Sequence, residues 1–250
     1  MTPDIDLARP RNLSQLLDAT FALWSRHRSV LFTVALVFAG PVAIISQGLS
    51  RSAPGGDEAL TAADLRTYAL VGLFTAIEVP LVTGAYTRTI ARYGAGQEVG
   101  VGMALRDGLG AFFSVFVALL LAGLAILGGF VLLIVPGIWL AVRLAFVGQA
   151  AAIDRQGARA AFRAAMEITK GSWWRVFGIL ALLTVVELVA VTLLSIPFAA
   201  IGGGAELAAS ALIQALVTSI STVVETLLFF DLRARRALAA EPAPAPDAWG

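Results

Sequence analysis

Six apolar stretches alternate with short polar or glycine-rich connections along this chain. They cover about residues 30–48, 67–90, 111–135, 138–153, 176–196 and 207–230. A helix needs about 20 mostly apolar residues to cross the ~30 Å hydrocarbon core of a bilayer. The pattern therefore predicts an all-α polytopic membrane domain over residues 30–232, in which six transmembrane helices form three hairpins.

Proline and glycine mark the predicted interruptions of these stretches. Pro41 lies inside the first stretch, where its missing amide should kink the helix. Residues 49–64 are polar, contain Pro-Gly-Gly and are predicted to form a loop. The pair Pro136-Gly137 is predicted to reverse the chain between the third and fourth spans, and Pro197 to end the fifth.

An amphipathic segment precedes each predicted hairpin: LLDATFALWSRHRSVL, ALRDGLGAFFSVFV and AFRAAMEITKGSWWRV. In the first segment, apolar side chains recur at helical spacing between Leu13 and Trp24. Such a helix lies in the membrane interface or packs its apolar face on other helices, and both interpretations stay open. Trp24, Trp173 and Trp174 are predicted interfacial anchors, because indole rings favour headgroup depth.

The flanking regions are polar. Residues 1–29 are predicted to be a cytoplasmic N-terminus that contains the first amphipathic helix, and residues 233–250 a basic and then Pro/Ala-rich disordered tail. Asp154 is predicted to cap the third amphipathic segment, and Gly171 to lie at its end.

Arginine and lysine are unevenly divided between the two sides that six spans create. Fifteen fall on the side of both termini, and only Arg51 and Arg66 on the other. Because cytoplasmic loops of membrane proteins carry the excess of Lys and Arg, both termini are predicted to be cytoplasmic. Nine of the fifteen are also candidates for contact with anionic lipid headgroups: Arg26, Arg28, Arg159, Arg163, Lys170, Arg175, Arg233, Arg235 and Arg236. The alternative is that these clusters determine topology alone.

The composition excludes several classes of function. The chain is 58% hydrophobic and 14% charged, whereas soluble domains are about 45–50% apolar and about 25% charged. It has no cysteine, which excludes thiol catalysis, and a single histidine, His27, which excludes zinc sites built from several histidines of one chain. The loop glycines form no phosphate-binding pattern with a following lysine. We therefore expect no cofactor, no metal and no nucleic-acid partner.

Four ionisable residues lie inside the predicted spans: Glu78, Arg143, Glu187 and Glu225. Each costs about 2.5–3.5 kcal/mol at the bilayer centre on insertion scales, so each should face the protein interior or a wet cavity. One hypothesis is a proton or solute path in which Glu78 and Glu187 titrate and Arg143 sets their charge. The other is an interhelical ion pair or hydrogen-bonded carboxylic acid that holds the helices together.

Four segments, RPRNLSQLLDATFALWSRHRSVL, VPGIWLAVRLAFVGQA, AAFRAAMEITKGSWWRVFGIL and LLFFDLRAR, resemble a known family. It comprises the bacterial six-span proteins grouped as the glycerophosphoryl diester phosphodiesterase membrane domain and related YciC-like proteins. The resemblance implies a six-helix architecture and a role in supporting a partner at the membrane. The catalytic barrel that some relatives carry has no counterpart here, so the resemblance implies no phosphodiesterase activity.

The leading hypothesis from the sequence is a non-enzymatic integral protein of the bacterial inner membrane that scaffolds or assists partner proteins or lipids. The alternative is a small transporter or lipid-handling protein with an intramembrane Glu/Arg site. Expected partners are anionic membrane lipids, a membrane protein or a second copy of the chain. A water-accessible cavity that reaches Arg143 and the glutamates would favour transport, and a dry packed bundle would favour scaffolding.

Overall fold

The computed structural model describes residues 5–52, 61–154, 157–199 and 203–240. Over these residues the chain forms eight helices: α1 (Leu13–Ser52), α2 (Ala62–Gly94), α3 (Val101–Leu132), α4 (Ile134–Leu144), α5 (Val147–Asp154), α6 (Ala158–Thr169), α7 (Trp173–Ala199) and α8 (Gly203–Ala240). With α4 and α5 taken together, six helical stretches of the described chain are long and apolar enough to cross a membrane. The all-α prediction is confirmed for the described residues, which include no strand.

Reciprocal side-chain caps begin the first two helices. The amide of Gln15 donates to the Asn12 side chain at 2.8 Å, and the Gln15 side chain accepts from the Asn12 amide at 3.1 Å. Thr61 and Asp64 exchange the same pair of hydrogen bonds at the start of α2. Because such bonds satisfy amides that lack helical partners, they specify where α1 and α2 begin.

The long helices extend beyond the predicted spans. α1, α2, α3 and α8 contain 40, 33, 32 and 38 residues. At 1.5 Å per residue they are about 48–60 Å long, compared with a hydrocarbon core of ~30 Å. The predicted bounds 30–48, 67–90, 111–135 and 207–230 therefore describe only part of each helix.

Two of the predicted amphipathic helices are continuous with the spans that follow them. α1 runs from Leu13 to Ser52, with a kink at His27, whose dihedral angles are non-helical (φ −114°, ψ 22°). Helical dihedral angles continue through Pro41, so the non-helical break of α1 lies at His27 and the kink at the proline stays a prediction. α3 begins at Val101 and has no break before its apolar stretch. Only the third segment is a separate helix, α6.

The reversal between the third and fourth spans lies at Leu133, not at Pro136-Gly137. Leu133 is extended, and Pro136 lies in the first turn of α4, where the amide that proline lacks would have no helical partner anyway. A Cβ built on Gly129 would lie 3.0 Å from Gly137 Cα, so the two helices approach too closely for side chains. The fourth span, predicted as one helix over 138–153, consists of α4 and α5.

Other boundaries also differ from the predictions. Pro197 lies inside α7, which starts at Trp173 and continues to Ala199, so the predicted span 176–196 is too short. Asp154 ends α5, and Gly157 is the N-cap of α6, with φ +84°. Gly171 follows α6 with φ +76°, as the sequence predicts.

The predicted tail begins too early, because residues 233–240 belong to α8. Several predictions fall outside the described residues: most of the 49–64 loop, including its Pro-Gly-Gly turn, and the disordered segment from residue 241. Residues 1–4 and Arg155, one of the fifteen basic residues counted on the side of the termini, also lie outside the described residues.

The helices at the two ends of the chain are packed together. α1 makes its most extensive contacts with α8, and α2 with α3. The largest fully buried side chains include Tyr86, Tyr93, Phe146 and Phe229. The Tyr86 hydroxyl donates to the Leu31 carbonyl at 2.6 Å and so joins α2 to α1. These side chains are close in sequence to the arginine-rich connections between helices. The well-packed core therefore lies in the half of the bundle that carries those arginines, which we call the basic half.

α7 stands at the edge of the bundle. Among its 27 residues only Val176 and Ile179, near its start, are buried. Leu182, Val186 and Leu193 are among its many exposed apolar side chains. α7 packs mainly on α8, so most of its surface is apolar and faces away from the protein, as a lipid-facing helix requires.

Candidate functional site

A polar cavity of about 670 Å³ lies among α1, α2, α7 and α8. Its walls carry the three glutamates that the sequence places inside spans: Glu78 from α2, Glu187 from α7 and Glu225 from α8. Tertiary structure thus brings together three acidic residues that are spread over almost 150 positions of the chain.

Hydroxyl and amide side chains complete the polar lining of the cavity. The principal ones are Gln47 from α1, Thr75 from α2, Thr184 from α7 and Gln214 and Thr218 from α8. The Gln214 side-chain amide donates to the Thr218 hydroxyl at 3.1 Å. No lysine, arginine or histidine of the described chain lines the cavity, so the acidic groups have to be compensated by protons, water or a cationic ligand.

Sequence reasoning missed this lining, although a signal for it is present. Along α8, Ser210, Gln214, Thr218, Ser221 and Glu225 follow one another at intervals of three or four residues and all line the cavity. This spacing places side chains on one face of a helix. A polar stripe in an otherwise apolar span predicts a wet interior face rather than a single buried charge.

The cavity extends away from the basic half of the bundle. Ser210 and Glu225 are fifteen residues apart on α8, which corresponds to a depth of about 22 Å. Beyond Glu225, the next turns of α8 contribute fully buried Leu227, Leu228 and Phe229. Packed side chains therefore close the end near the arginines, whereas Gln47 and Ser210 line the other end.

Arg143 does not lie in this cavity. Its guanidinium lies over the Trp139 ring, 5.5 Å from the centroid, and both residues belong to α4. Its buried Nε has no hydrogen-bond partner among the described residues. The hypothesis that Arg143 sets the charge of Glu78 and Glu187 finds no support in this geometry, because α4 contributes no side chain to the cavity wall.

The predicted interfacial tryptophans occupy different environments. The Trp24 indole N–H donates to Ser219 Oγ at 2.9 Å, which joins α1 to α8. Trp173 stacks on Phe177 with ring centroids 5.1 Å apart, and Trp174 is 78% exposed. The apolar side chains of the first amphipathic segment also differ in environment, since Leu16 is buried in the protein and Phe21 is exposed.

Two of the predicted lipid-binding arginines, Arg175 and Arg235, bind protein groups around Asp231. This carboxylate is fully buried and accepts hydrogen bonds from the Arg11 amide at 2.5 Å, from Arg235 at 3.0 Å and from Arg175 at 3.3 Å. Both guanidinium groups also donate to the Arg11 carbonyl. Burial lowers the pKa of the Arg11 guanidinium itself, and Asp6 and Asp231 act in the opposite direction. The cluster ties the N-terminal segment to α7 and α8.

The other predicted lipid-binding residues lie around α6 and on α1. Arg233 pairs with Asp154 at 3.4 Å, and Arg236 donates to the Lys170 carbonyl. The remaining members of the set are exposed: Arg26, Arg28, Arg159, Arg163 and Lys170. The buried face of α6 consists of Ala161, Ala165, Ile168 and Thr169.

The family described as domain of unknown function (DUF7847) has a model that matches residues 86–235 of the chain. The match begins in α2 and ends in α8, so it includes Glu187 and Glu225 but not Glu78. The chain has no match among curated proteins or among solved structures.

Proposed function

Because the chain belongs to the DUF7847 family, whose function is unknown, we propose its function from geometry. It is an integral membrane protein that receives a positively charged polar group in its acidic cavity, as a small transporter or lipid-handling protein does. The observation that supports this proposal is the convergence of Glu78, Glu187 and Glu225 on one cavity whose described lining contains no basic side chain. A cation is the group that compensates such a site most directly.

The proposed topology is that of three hairpins in a bacterial inner membrane, with both termini and the amphipathic segments on the cytoplasmic side. It rests on the fifteen basic residues assigned to one side and the two assigned to the other. In this orientation the packed end of the cavity faces the cytoplasm and the end lined by Gln47 and Ser210 faces outward. The proposed protein accepts its ligand from the outer side or from the membrane.

The scaffolding hypothesis and the resemblance to phosphodiesterase membrane domains stay predictions. Interfaces between transmembrane helices are enriched in small residues, whereas the exposed surface of α7 is dominated by leucine and valine. That surface suits lipid better than a partner helix. Contact of Arg28, Arg159, Arg163 and Lys170 with anionic headgroups is part of the proposal, because their side chains are exposed.

The absence of native cysteine allows a direct test of the cavity. Thr218→Cys in proteoliposomes is treated with a cationic thiosulfonate, the trimethylammonium-ethyl reagent, and with its anionic sulfonatoethyl counterpart. Thiolates react only where water reaches them, and we expect the cation to react about tenfold faster than the anion, after correction for their rates with a free thiol. Val186→Cys, on the exposed face of α7, is the lipid-facing control. Equal inertness of the two variants would exclude a wet cavity.

Second-site variants identify the source of the cation preference. Glu225→Gln and Glu187→Gln should each reduce the rate ratio at Thr218→Cys, because each removes a carboxylate from the lining. Arg143→Ala should leave the ratio unchanged, since α4 does not line the cavity. A ratio that responds to Arg143 and not to the glutamates would contradict the proposed acidic site.

A further inference from the structure

A second cavity, of about 490 Å³, lies between α2 and α3 and is almost entirely apolar. Its lining includes Phe116, Leu120, Leu124 and Leu127 of α3, opposite Ala76 and Pro80 of α2. Leu120, Leu124 and Leu127 are among the exposed apolar side chains of the protein. The cavity is therefore a groove on the apolar outer surface of the bundle, and we call it the α2–α3 groove.

The groove is formed where two helices lack side chains. Gly72 of α2 and Gly123 of α3 both line it. A Cβ built on either glycine would meet no atom within 4 Å. The open space is therefore a property of the backbone arrangement and not of one side-chain rotamer.

The α2–α3 groove and the acidic cavity meet along α2. Thr75 and Val79 line both of them, and these two residues are one helical turn apart. Val79 and Thr75 are exposed. Glu78 is next to Val79 in sequence and lines only the acidic cavity. The acidic site and the apolar groove therefore lie on adjacent faces of α2.

From this juxtaposition we propose that the ligand is a cationic amphiphile, whose ammonium headgroup lies in the acidic cavity near Glu78 and whose hydrocarbon chain lies in the α2–α3 groove. The inference rests on the proposed function, because it specifies the class of ligand that the acidic cavity receives. Charge complementarity selects the headgroup. The groove holds the chain in an apolar environment while the headgroup remains beside the glutamates.

The geometry also provides a path for such a ligand. α7 packs chiefly on α8, and its contacts with α2 are at most marginal. On the side of the cavity between Glu78 of α2 and Glu187 of α7, the two helices are therefore not packed against each other along their whole length. An amphiphile enters from the membrane with its chain in hydrocarbon, which avoids transfer of the chain through water.

Protection of Thr218→Cys from modification measures binding. The protein is kept in dodecyl maltoside, whose uncharged twelve-carbon chains are present in excess and compete for the groove. Dodecyltrimethylammonium should slow the modification saturably, at an apparent Kd about tenfold below that of tetramethylammonium, which has the headgroup alone. Dodecyl sulfate, with the same chain and an anionic headgroup, should give no protection. Glu78→Gln should weaken protection by both cations.

A groove-filling variant separates binding of the chain from its enrichment in the micelle. Gly123→Leu adds a side chain inside the α2–α3 groove, and Gly128→Leu adds the same side chain to α3 at a position that also has no atom within 4 Å of its Cβ but does not line the groove. We expect Gly123→Leu to remove the tenfold advantage of dodecyltrimethylammonium and to leave tetramethylammonium unaffected. Gly128→Leu should change neither. Retained helicity and elution volume in gel filtration show that both variants are folded.

The outcomes distinguish the two proposals. If both cations protect in a glutamate-dependent way but Gly123→Leu has no effect on either, the acidic site stands and the amphiphile inference is overturned. If dodecyl sulfate protects as well as dodecyltrimethylammonium, the headgroup assignment is overturned. If neither cation protects Thr218→Cys better when Glu78 is present than when it is replaced by glutamine, the proposed function itself fails.

Discussion

At the scale of single residues, two acidic environments differ in how their charge is balanced. Asp231 is fully buried and accepts hydrogen bonds from two arginines and a backbone amide. Glu78, Glu187 and Glu225 line a cavity whose described walls contain no basic side chain. A buried carboxylate with complete protein partners holds the fold together, whereas one that faces a polar cavity is available to a ligand.

Asp231→Asn should destabilise the protein. The amide group of the new side chain would face the guanidinium groups of Arg175 and Arg235, so donors would oppose donors, and two positive charges would lose their partner. We expect a cost of about 3 kcal/mol, measured as a fall of about 6–12 °C in the thermal unfolding midpoint in detergent. Asp18→Asn, at an exposed position of α1, is the matched control. Similar midpoints for the two variants would show that the Asp231 cluster contributes little.

At the scale of helices, glycine positions determine how closely α2 and α3 approach. A Cβ on Gly108 would lie 2.8 Å from the Leu81 carbonyl oxygen and 3.0 Å from Ala85 Cβ. Gly84 similarly faces Ala111, where a new Cβ would lie at 2.6 Å. Such contacts maximise van der Waals packing between helices in a membrane, where no hydrophobic driving force acts between them.

Gly108→Ala should separate α2 from α3 and lower the unfolding midpoint. The added methyl meets backbone that does not move independently, and overpacking of this kind costs about 1–3 kcal/mol. Gly128→Ala is made in the same helix at a position with open space around the Cβ. There the higher helix propensity of alanine should leave stability unchanged or slightly raised. If Gly108→Ala behaves like Gly128→Ala, the close crossing is not as the structure describes it.

At the scale of the whole molecule, the bundle is asymmetric. Its largest fully buried side chains lie near the basic connections, and the polar cavity extends toward the opposite end. Arg92 and Asp107 form a two-bond ion pair, at 2.8 and 3.2 Å, that joins α2 to α3 at the basic end. With packed side chains at one end and the cavity toward the other, the proposed ligand would enter from one side.

Fusions test the proposed orientation. Alkaline phosphatase is active only outside the bacterial cytoplasm, so a fusion after Gly250 should be inactive and a green fluorescent protein at the same place should fluoresce. Insertion of the phosphatase between residues 53 and 60 should give activity, because this connection belongs to the side with only Arg51 and Arg66. Activity of the C-terminal phosphatase fusion would reverse the orientation and would make the cavity face the cytoplasm.

The sequence by itself determined the membrane environment, the helical class and the number of long apolar helices. These properties follow from local quantities, namely the length of each apolar stretch and the need of every backbone amide in hydrocarbon for an internal partner. It also located the intramembrane glutamates, because a charge in an apolar stretch is visible without a fold. The predicted helix ends on the basic side were wrong, since amphipathic turns continue a helix as readily as they begin one.

Only the tertiary structure decided which polar residues meet. The proximity of Glu78, Glu187 and Glu225 depends on how α2, α7 and α8 pack, and the exclusion of Arg143 depends on α4 lying elsewhere. Asp231 adjoins the last span in sequence, and its burial by Arg11 and Arg175 is a long-range contact that no local pattern contains. The α2–α3 groove likewise lies where Gly72 of α2 and Gly123 of α3 both face open space, which spacing along one helix does not reveal.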